Sequence, residues 1–189
     1  MEKIELVDDP LTAGEAVAVL ADLQQRFETV AQVLPQYAAD ATTWDGLVFS
    51  VAGVRVVAAM NEVSEMLPMQ ERITRVPGAK EWVVGLANVR GSLLPIIDLQ
   101  LFLRGKPVVV SKSTRILVLR LHGLVTGLLV PSVQGMRHFD LDDRRPDARM
   151  KGSLGAYIYE AFGVDGEVWP VMSMVALAAD PAFRSAVVA

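Results

Sequence analysis

Two hydrophobic rhythms divide the chain. In the first 43 residues, apolar side chains fall at Ala16, Leu20, Leu23, Phe27, Val30 and Leu34, in steps of four and three. That spacing lines one stripe of a helix. Thr12-Ala13-Gly14-Glu15 has the form of a capping box, whose oxygens satisfy the free amides of the first turn. Pro35, without an amide proton, ends the pattern. The spacing predicts an amphipathic helix over about residues 12–34, carried on an N-terminal extension of residues 1–43. A lone helix of this length is marginal in water. Its stripe must therefore rest on the chain's own sheet, on a partner, or on a second copy.

From Gly46 onward the rhythm shortens. Apolar runs of four to eight residues are divided by Gly, Asn, Asp and Pro: LVFSVAG, VRVVAAM, VVGLANV, SLLPIID, TRILVLRL, LVTGLLV, YIYEAFG and EVWPVMSM. Rich in valine, isoleucine and leucine, and too short for ordinary helices, they predict strands. The two that contain a proline, from Ser92 and from Glu167, suit an edge or a bulge better than a central position. The charged stretch RHFDLDDRRPDARMK, residues 137–151, reads as a solvated loop.

The strand pattern occurs twice. VAGVRVVAAMNEVSEM from Val51 lies over LHGLVTGLLVPSVQGM from Leu121 at an offset of 70 with no gap, matching Gly53 to Gly123, Val63 to Val133 and Met66 to Met136. RGSLLPIID from Arg90 lies over DGEVWPVMS from Asp165 at an offset of 75, matching Gly91 to Gly166 and Pro95 to Pro170. The duplication predicts two similar β subdomains, about 44–105 and 112–175, within one domain of residues 44–180, followed by a tail at 181–189. In the second alignment Arg90 meets Asp165, its opposite in charge.

Composition narrows the chemistry. The 189 residues carry 18 Lys and Arg against 22 Asp and Glu, a formal charge of −4, and only 6% are aromatic. A protein that grips phosphate backbones or stacks bases needs the opposite balance, so nucleic acid is not expected as a partner. No cysteine is present, which excludes thiol catalysis, disulfides and cysteine-bound metals. The longest charge-free apolar runs fall well short of the roughly 20 residues of a spanning helix. No basic region followed by an apolar stretch opens the sequence, so a cytoplasmic protein without a leader is expected. His122 and His138 stand apart without helical pairing. Asp140, Asp142 and Asp143 lack the glycine and closing glutamate of a calcium loop. No phosphate-binding loop and no GxSxG elbow occurs. No cofactor or metal is expected, and a small β-barrel enzyme survives as an alternative only through carboxylates that meet in space.

One stretch is more specific. Val83-Val84-Gly85-Leu86-Ala87-Asn88-Val89-Arg90-Gly91-Ser92-Leu93-Leu94-Pro95-Ile96-Ile97-Asp98-Leu99 is a strand, a tight Asn-x-Arg-Gly connection, a second strand with an internal proline and a closing Ile-Asp-Leu. It resembles the signature of CheW-like proteins, the coupling proteins of bacterial chemosensory arrays. Thr74-Arg75-Val76-Pro77-Gly78, Val51-Ala52-Gly53 with Asn61-Glu62-Val63-Ser64-Glu65-Met66, and Gly127-Leu128-Leu129-Val130 with Val133 extend the resemblance over about residues 45–180. The leader pattern, GMRHF and the late DPAF resemble most the branch of the family that serves type IV pili and twitching motility. A flagellar chemotaxis adaptor is the alternative.

The resemblance implies a mainly β fold of two five-stranded, SH3-like barrels sharing a core, and no enzymatic activity. It also implies an adaptor between the cytoplasmic tip of a chemoreceptor and the regulatory domain of a CheA-type histidine kinase, reaching the membrane only through receptors and able to self-associate in arrays. A relative fused to a receiver domain is disfavoured, because no such domain fits the length. By position, Arg90 with Asn88 matches the family's contact surface for receptor and kinase. Gly85 opens the strand that lines the receptor groove. Val63 and Glu65 match the groove side of the first subdomain, with Gly127 and Val133 as their counterparts in the second. The plainer alternatives are that the glycines and Val133 only serve packing, and that Arg90 is only a turn tip. The family often has an acidic residue where this chain has Pro131. There the proline removes an amide donor.

Overall fold

The computed structural model describes residues 42–121 and 123–187. The helix expected over residues 12–34 lies outside the described residues, as does His122. The first half runs β1 (Thr43–Val51), β2 (Val54–Ala59), a 3-10 turn (Met60–Glu62), β3 (Glu65–Pro68), β4 (Ile73–Thr74), β5 (Val83–Val89), β6 (Ser92–Asp98) and α1 (Leu99–Arg104). The second runs β7 (Arg115–Leu121), β8 (Leu124–Val130), β9 (Ser132–Asp140), a 3-10 turn (Leu141–Asp143), β10 (Arg144–Arg145), a 3-10 turn (Ser153–Tyr157), β11 (Ile158–Val164), β12 (Glu167–Met172) and α2 (Met174–Ala179). Helix α3 (Pro181–Val187) follows.

Every apolar segment singled out above is a strand, and the repeat is written into the boundaries. Shifting β5 by 75 residues gives the limits of β11, and the same shift carries α1 onto α2. Even the caps correspond. The Asp98 carboxylate accepts from the Leu101 amide at 2.8 Å to open α1, and the Ser173 hydroxyl accepts from Ala176 at 3.0 Å to open α2. Asp98 is buried, and its second oxygen accepts from the Val108 amide at 2.7 Å. The closing Ile-Asp-Leu of the motif thus fixes the turn of the chain after β6.

The strands form two six-stranded sheets, ordered β10-β11-β12-β2-β1-β9 and β3-β7-β8-β6-β5-β4. Each sheet therefore has five principal strands and one strand of two residues, β10 or β4. The two halves of the sequence do not each make their own sheet: β1 and β2 pair into the sheet of the second half, and β7 and β8 into that of the first. The segments are exchanged through two parallel contacts, β12 with β2 and β6 with β8.

Of the two positions expected for the proline-bearing strands, an edge or a bulge, those contacts exclude the edge, while the antiparallel pairings β5–β6 and β11–β12 each carry a bulge. β6 sits between β5 and β8, and β12 between β11 and β2. Proline is tolerated there because the ladder to the parallel neighbour does not include its position. Pairing with β8 begins at Ile96, one residue past Pro95, and pairing with β2 falls at Val171, one residue past Pro170. The Thr126 hydroxyl donates to the free Pro95 carbonyl at 3.0 Å.

Strands buried on both faces explain the nearly continuous apolar runs. Along β7, Leu117 and Leu119 point into a central core between the sheets, while Ile116 and Val118 point into a core beneath the second sheet. β8 divides likewise, with Leu128 on the central side and Leu129 on the other. In β1 and β2, Leu47, Phe49, Val56 and Ala58 join the central core, while Val48 and Val57 enter a third core with Phe139, Phe162 and Trp169. Period-two geometry thus feeds three cores from two sheets. The fully buried Phe183 belongs to the central core, so the stretch set apart as a tail packs into the fold.

A second correction concerns residues 137–151. Arg137 to Asp140 are not loop but the end of β9, and Arg144–Arg145 pair with β11. The strand alternation was hidden because its outward positions are charged, while Phe139 between them is buried. Arg137 lies with its guanidinium carbon 4.4 Å from the Trp169 ring centre, covering apolar surface with its stem.

Candidate functional site

The β5–β6 connection is a two-residue hairpin. Val89 pairs with Ser92, and between them Arg90 and Gly91 both have positive φ, 51° and 82°. Positive φ at both central residues is the type I′ turn, whose twist matches that of the strands and whose preferred first residues are Asn, Asp and Gly. The repeat supplies an internal control. Asp165 and Gly166 hold the equivalent turn at 52° and 75°, with a residue that the turn favours. Arginine there costs about 1–2 kcal/mol of left-handed strain. The β1–β2 turn holds Ala52 at 55°, so the position admits other residues, and what distinguishes Arg90 is its charge.

Asn88 is part of the turn itself: its side-chain oxygen accepts the Gly91 amide at 2.9 Å. Arg90 reaches away from the hairpin. Its Nη2 donates to Oε1 of Glu65 at 2.5 Å, with 77% of the Arg90 side chain exposed and 26% of that of Glu65. Glu65 opens β3, which is separated from β6 in the sheet by β7 and β8. The sheet must therefore curl until its edge strand meets the tip of this hairpin.

Three of the residues expected at the site share one transverse row. Gly85 pairs with Ile96, Ile96 with Gly127, Gly127 with Val118, and Val118 with Glu65. The two glycines flank Ile96 and are themselves buried. A Cβ on Gly127 would come within 2.6 Å of the Ile116 side chain and 2.8 Å of that of Ile96. At Gly85, where φ is 146° and β5 bulges, it would meet the Thr74 carbonyl oxygen at 2.3 Å. Both positions have a packing reason to be glycine. Val63 and Val133 are half-buried and rest on the central core, Val63 just before β3 and Val133 opposite Phe49 in the other sheet. Val133 thus does not join the row; Arg90 and Asn88 are exposed, and Glu65 is half-buried beside them.

Beneath the Arg90–Glu65 pair lies a groove that the sequence reading missed. Its floor is Leu94 and Val118, both buried, and its rim carries Leu93, Val125 and Arg120. Leu93 is 68% exposed beside the buried Leu94, and Arg120 stands directly opposite Val125. The signal was strand alternation: an outward Leu93 follows from an inward Leu94.

The other sheet carries the counterpart of this groove, lined by Arg55, Arg137, Met136 and Trp169. There Arg55 pairs with Glu167 at 3.0 Å, and Arg137 approaches Asp165 to 3.9 Å. On the hairpin side Arg120 has no such carboxylate among the described residues.

Glu62 ties the approach to β3 into the fold by accepting the Met174 amide at 2.7 Å. Burial pushes its carboxyl above the usual range, against the opposing pull of the Met174 and Val175 amides. Among the described residues, no cluster of three or more His, Asp or Glu could hold a metal, and no helix is long and apolar enough to cross a membrane.

Several known proteins are similar to this chain. A family model described as the CheW-like domain matches residues 45–182. Protein PilI of Pseudomonas aeruginosa is 38% identical over 168 residues, 87% of this chain and 92% of that protein. Chemotaxis protein CheW of Bacillus subtilis is 30% identical over 84 residues, 44% of this chain and 53% of its own. The crystal structure of scaffolding protein TtCheW from Thermoanaerobacter tengcongensis superposes with a TM-score of 0.62 at 23% identity, over 73% of this chain and 94% of that one, a likeness of fold. The interleaved β fold, the Asn-x-Arg-Gly hairpin and these matches lead to one conclusion: the chain belongs to the CheW-like family of non-catalytic adaptors.

Proposed function

We propose that the chain couples the cytoplasmic tip of a methyl-accepting chemoreceptor to the regulatory domain of a CheA-type histidine kinase, in the pathway that controls type IV pili and twitching motility. The observation that carries the reading is Arg90, an exposed cation held at a turn position that disfavours it. Strain of this kind persists where a contact outside the turn benefits from it. Each sheet serves as the wall of one SH3-like barrel, and Arg90 with Glu65 forms part of the partner-facing rim. Val63 and Val133 offer apolar contact to a receptor helix. Gly85, Gly127 and Asn88 act through the shape of the sheet and the hairpin. The protein works in the cytoplasm, recruited to receptor arrays. The pilus branch is favoured because the likeness to PilI runs over most of both chains, while that to CheW of Bacillus subtilis covers about half.

Co-sedimentation with receptor-bearing membranes and kinase tests the reading. The chain should enter a ternary complex and raise receptor control of kinase output; failure to enter it sinks the adaptor assignment. Deletion in the host should abolish twitching and leave swimming intact. Loss of swimming alone would move the protein to a flagellar pathway.

A further inference from the structure

We propose that the groove under the Arg90–Glu65 pair receives an apolar side chain flanked by a carboxylate on an acidic segment of a protein partner, with Arg120 as the specificity-determining cation. Glu65 acts as a built-in substitute for the partner's carboxylate. The proposal rests on the adaptor reading and names the chemistry of one of its contacts.

The lining states the requirement. Leu94 and Val118 close the floor, and Leu93 and Val125 stand as apolar walls, 68% and 38% exposed. An inserted aliphatic side chain would bury these walls, which the free chain leaves in water. Two guanidinium groups and one carboxylate border the groove, so one positive charge is left over on a protein whose formal charge is −4. Arg120 is exposed and unpaired among the described residues, opposite Val125 across the β7–β8 ladder. A carboxylate beside the inserted side chain completes that pair.

Glu65 sets the second half of the device. Its pair with Arg90, at 2.5 Å, borders the groove, but the arginine side is largely in water. Pairs of that kind are held weakly and exchange readily. An incoming carboxylate therefore competes with Glu65 for Arg90 while Arg120 anchors it. The acceptor on β3 lowers the affinity and screens out partners without a carboxylate.

The full chain, isotope-labelled, would be titrated with two synthetic amphipathic helical peptides, one with glutamates and one with lysines flanking a leucine face. The acidic peptide should shift the amide signals of Glu65, Leu93, Arg120 and Val125, and the basic peptide should not. Glu65→Gln should tighten acidic-peptide binding about three- to tenfold, and Arg120→Glu should weaken it by about tenfold or more. Arg120→Lys should recover most of the loss, and melting temperatures report that each variant folds. Shifts elsewhere, equal response to both peptides, or unchanged affinity in both Glu65→Gln and Arg120→Glu would overturn the proposal. The same variants enter the receptor–kinase assay. A complex that forms but ignores both substitutions leaves the adaptor reading standing and removes this one. No complex, with the acidic peptide still seated in the groove, does the reverse.

Discussion

Arg90 and Glu65, 25 residues apart in sequence, meet at 2.5 Å across a sheet in which two strands lie between theirs. An arginine in a left-handed turn, paired on the surface, separates stability from function. Arg90→Asn relieves part of the roughly 1–2 kcal/mol of turn strain and removes an exposed ion pair worth about 0–1 kcal/mol. Urea denaturation should therefore find the variant as stable as the parent or slightly more so. Assembly with receptor and kinase should nevertheless weaken. A clear loss of stability would make Arg90 a structural residue.

The glycines of the transverse row should respond in the opposite way. Gly127→Ala forces Ile96 or Ile116 to move inside a packed core, at a cost of about 1–3 kcal/mol. Gly85→Ala costs more, because the obstacle is the Thr74 backbone carbonyl and the local φ is itself unfavourable. Chemical denaturation should rank Gly85→Ala below Gly127→Ala. Equal, near-wild-type stability in both would show that packing does not hold these positions.

Glu62 links the segment leading to β3 with the start of α2. Glu62→Ala leaves the Met174 amide without its acceptor and should cost about 1–2 kcal/mol. Glu62→Gln retains an acceptor and should cost less. Because burial raises the Glu62 pKa from its ordinary 4.5, ionisation works against the fold. Its favourable contribution is present below the unfolded value and is lost as pH rises through the raised one. Measured against Glu62→Gln, the parent should therefore lose relative stability over that rise.

Tyr157 and Asp180 titrate in the opposite sense. The Tyr157 hydroxyl donates to Asp180 at 2.7 Å, which, with the Ala182 and Phe183 amides, holds the carboxyl below its ordinary 3.8 against a smaller effect of burial. A depressed carboxylate stabilises the fold above its unfolded pKa, and that contribution is lost as pH falls through the folded value. Tyr157→Phe should therefore make acid unfolding, followed by circular dichroism, begin at a higher pH. An unchanged acid limb would show that the hydrogen bond contributes nothing there.

Much of this could be read from the string of residues. Alternation and run length settle the eight long apolar strands, because a strand buried on both faces has no polar positions to hide it. Duplication is legible because Gly53, Gly91, Gly123 and Gly166 all sit at positive φ in two-residue turns, which few other residues adopt. The segment around Phe139 escaped because its outward neighbours are charged and only one side chain in view is buried.

What no linear pattern carries is which copy each strand joins. Both halves offer the same apolar edges, and only the meeting of β6 with β8 and β12 with β2 decides that the halves are interleaved. That exchange sets Gly85, Gly127 and Glu65 in one row and leaves Val133 in the other sheet. It also brings Arg120 beside Leu93, a proximity that depends on curl and register between distant segments. Local chemistry chooses turns and strands within a few residues. The neighbours of an exposed charge are chosen by how the whole sheet closes.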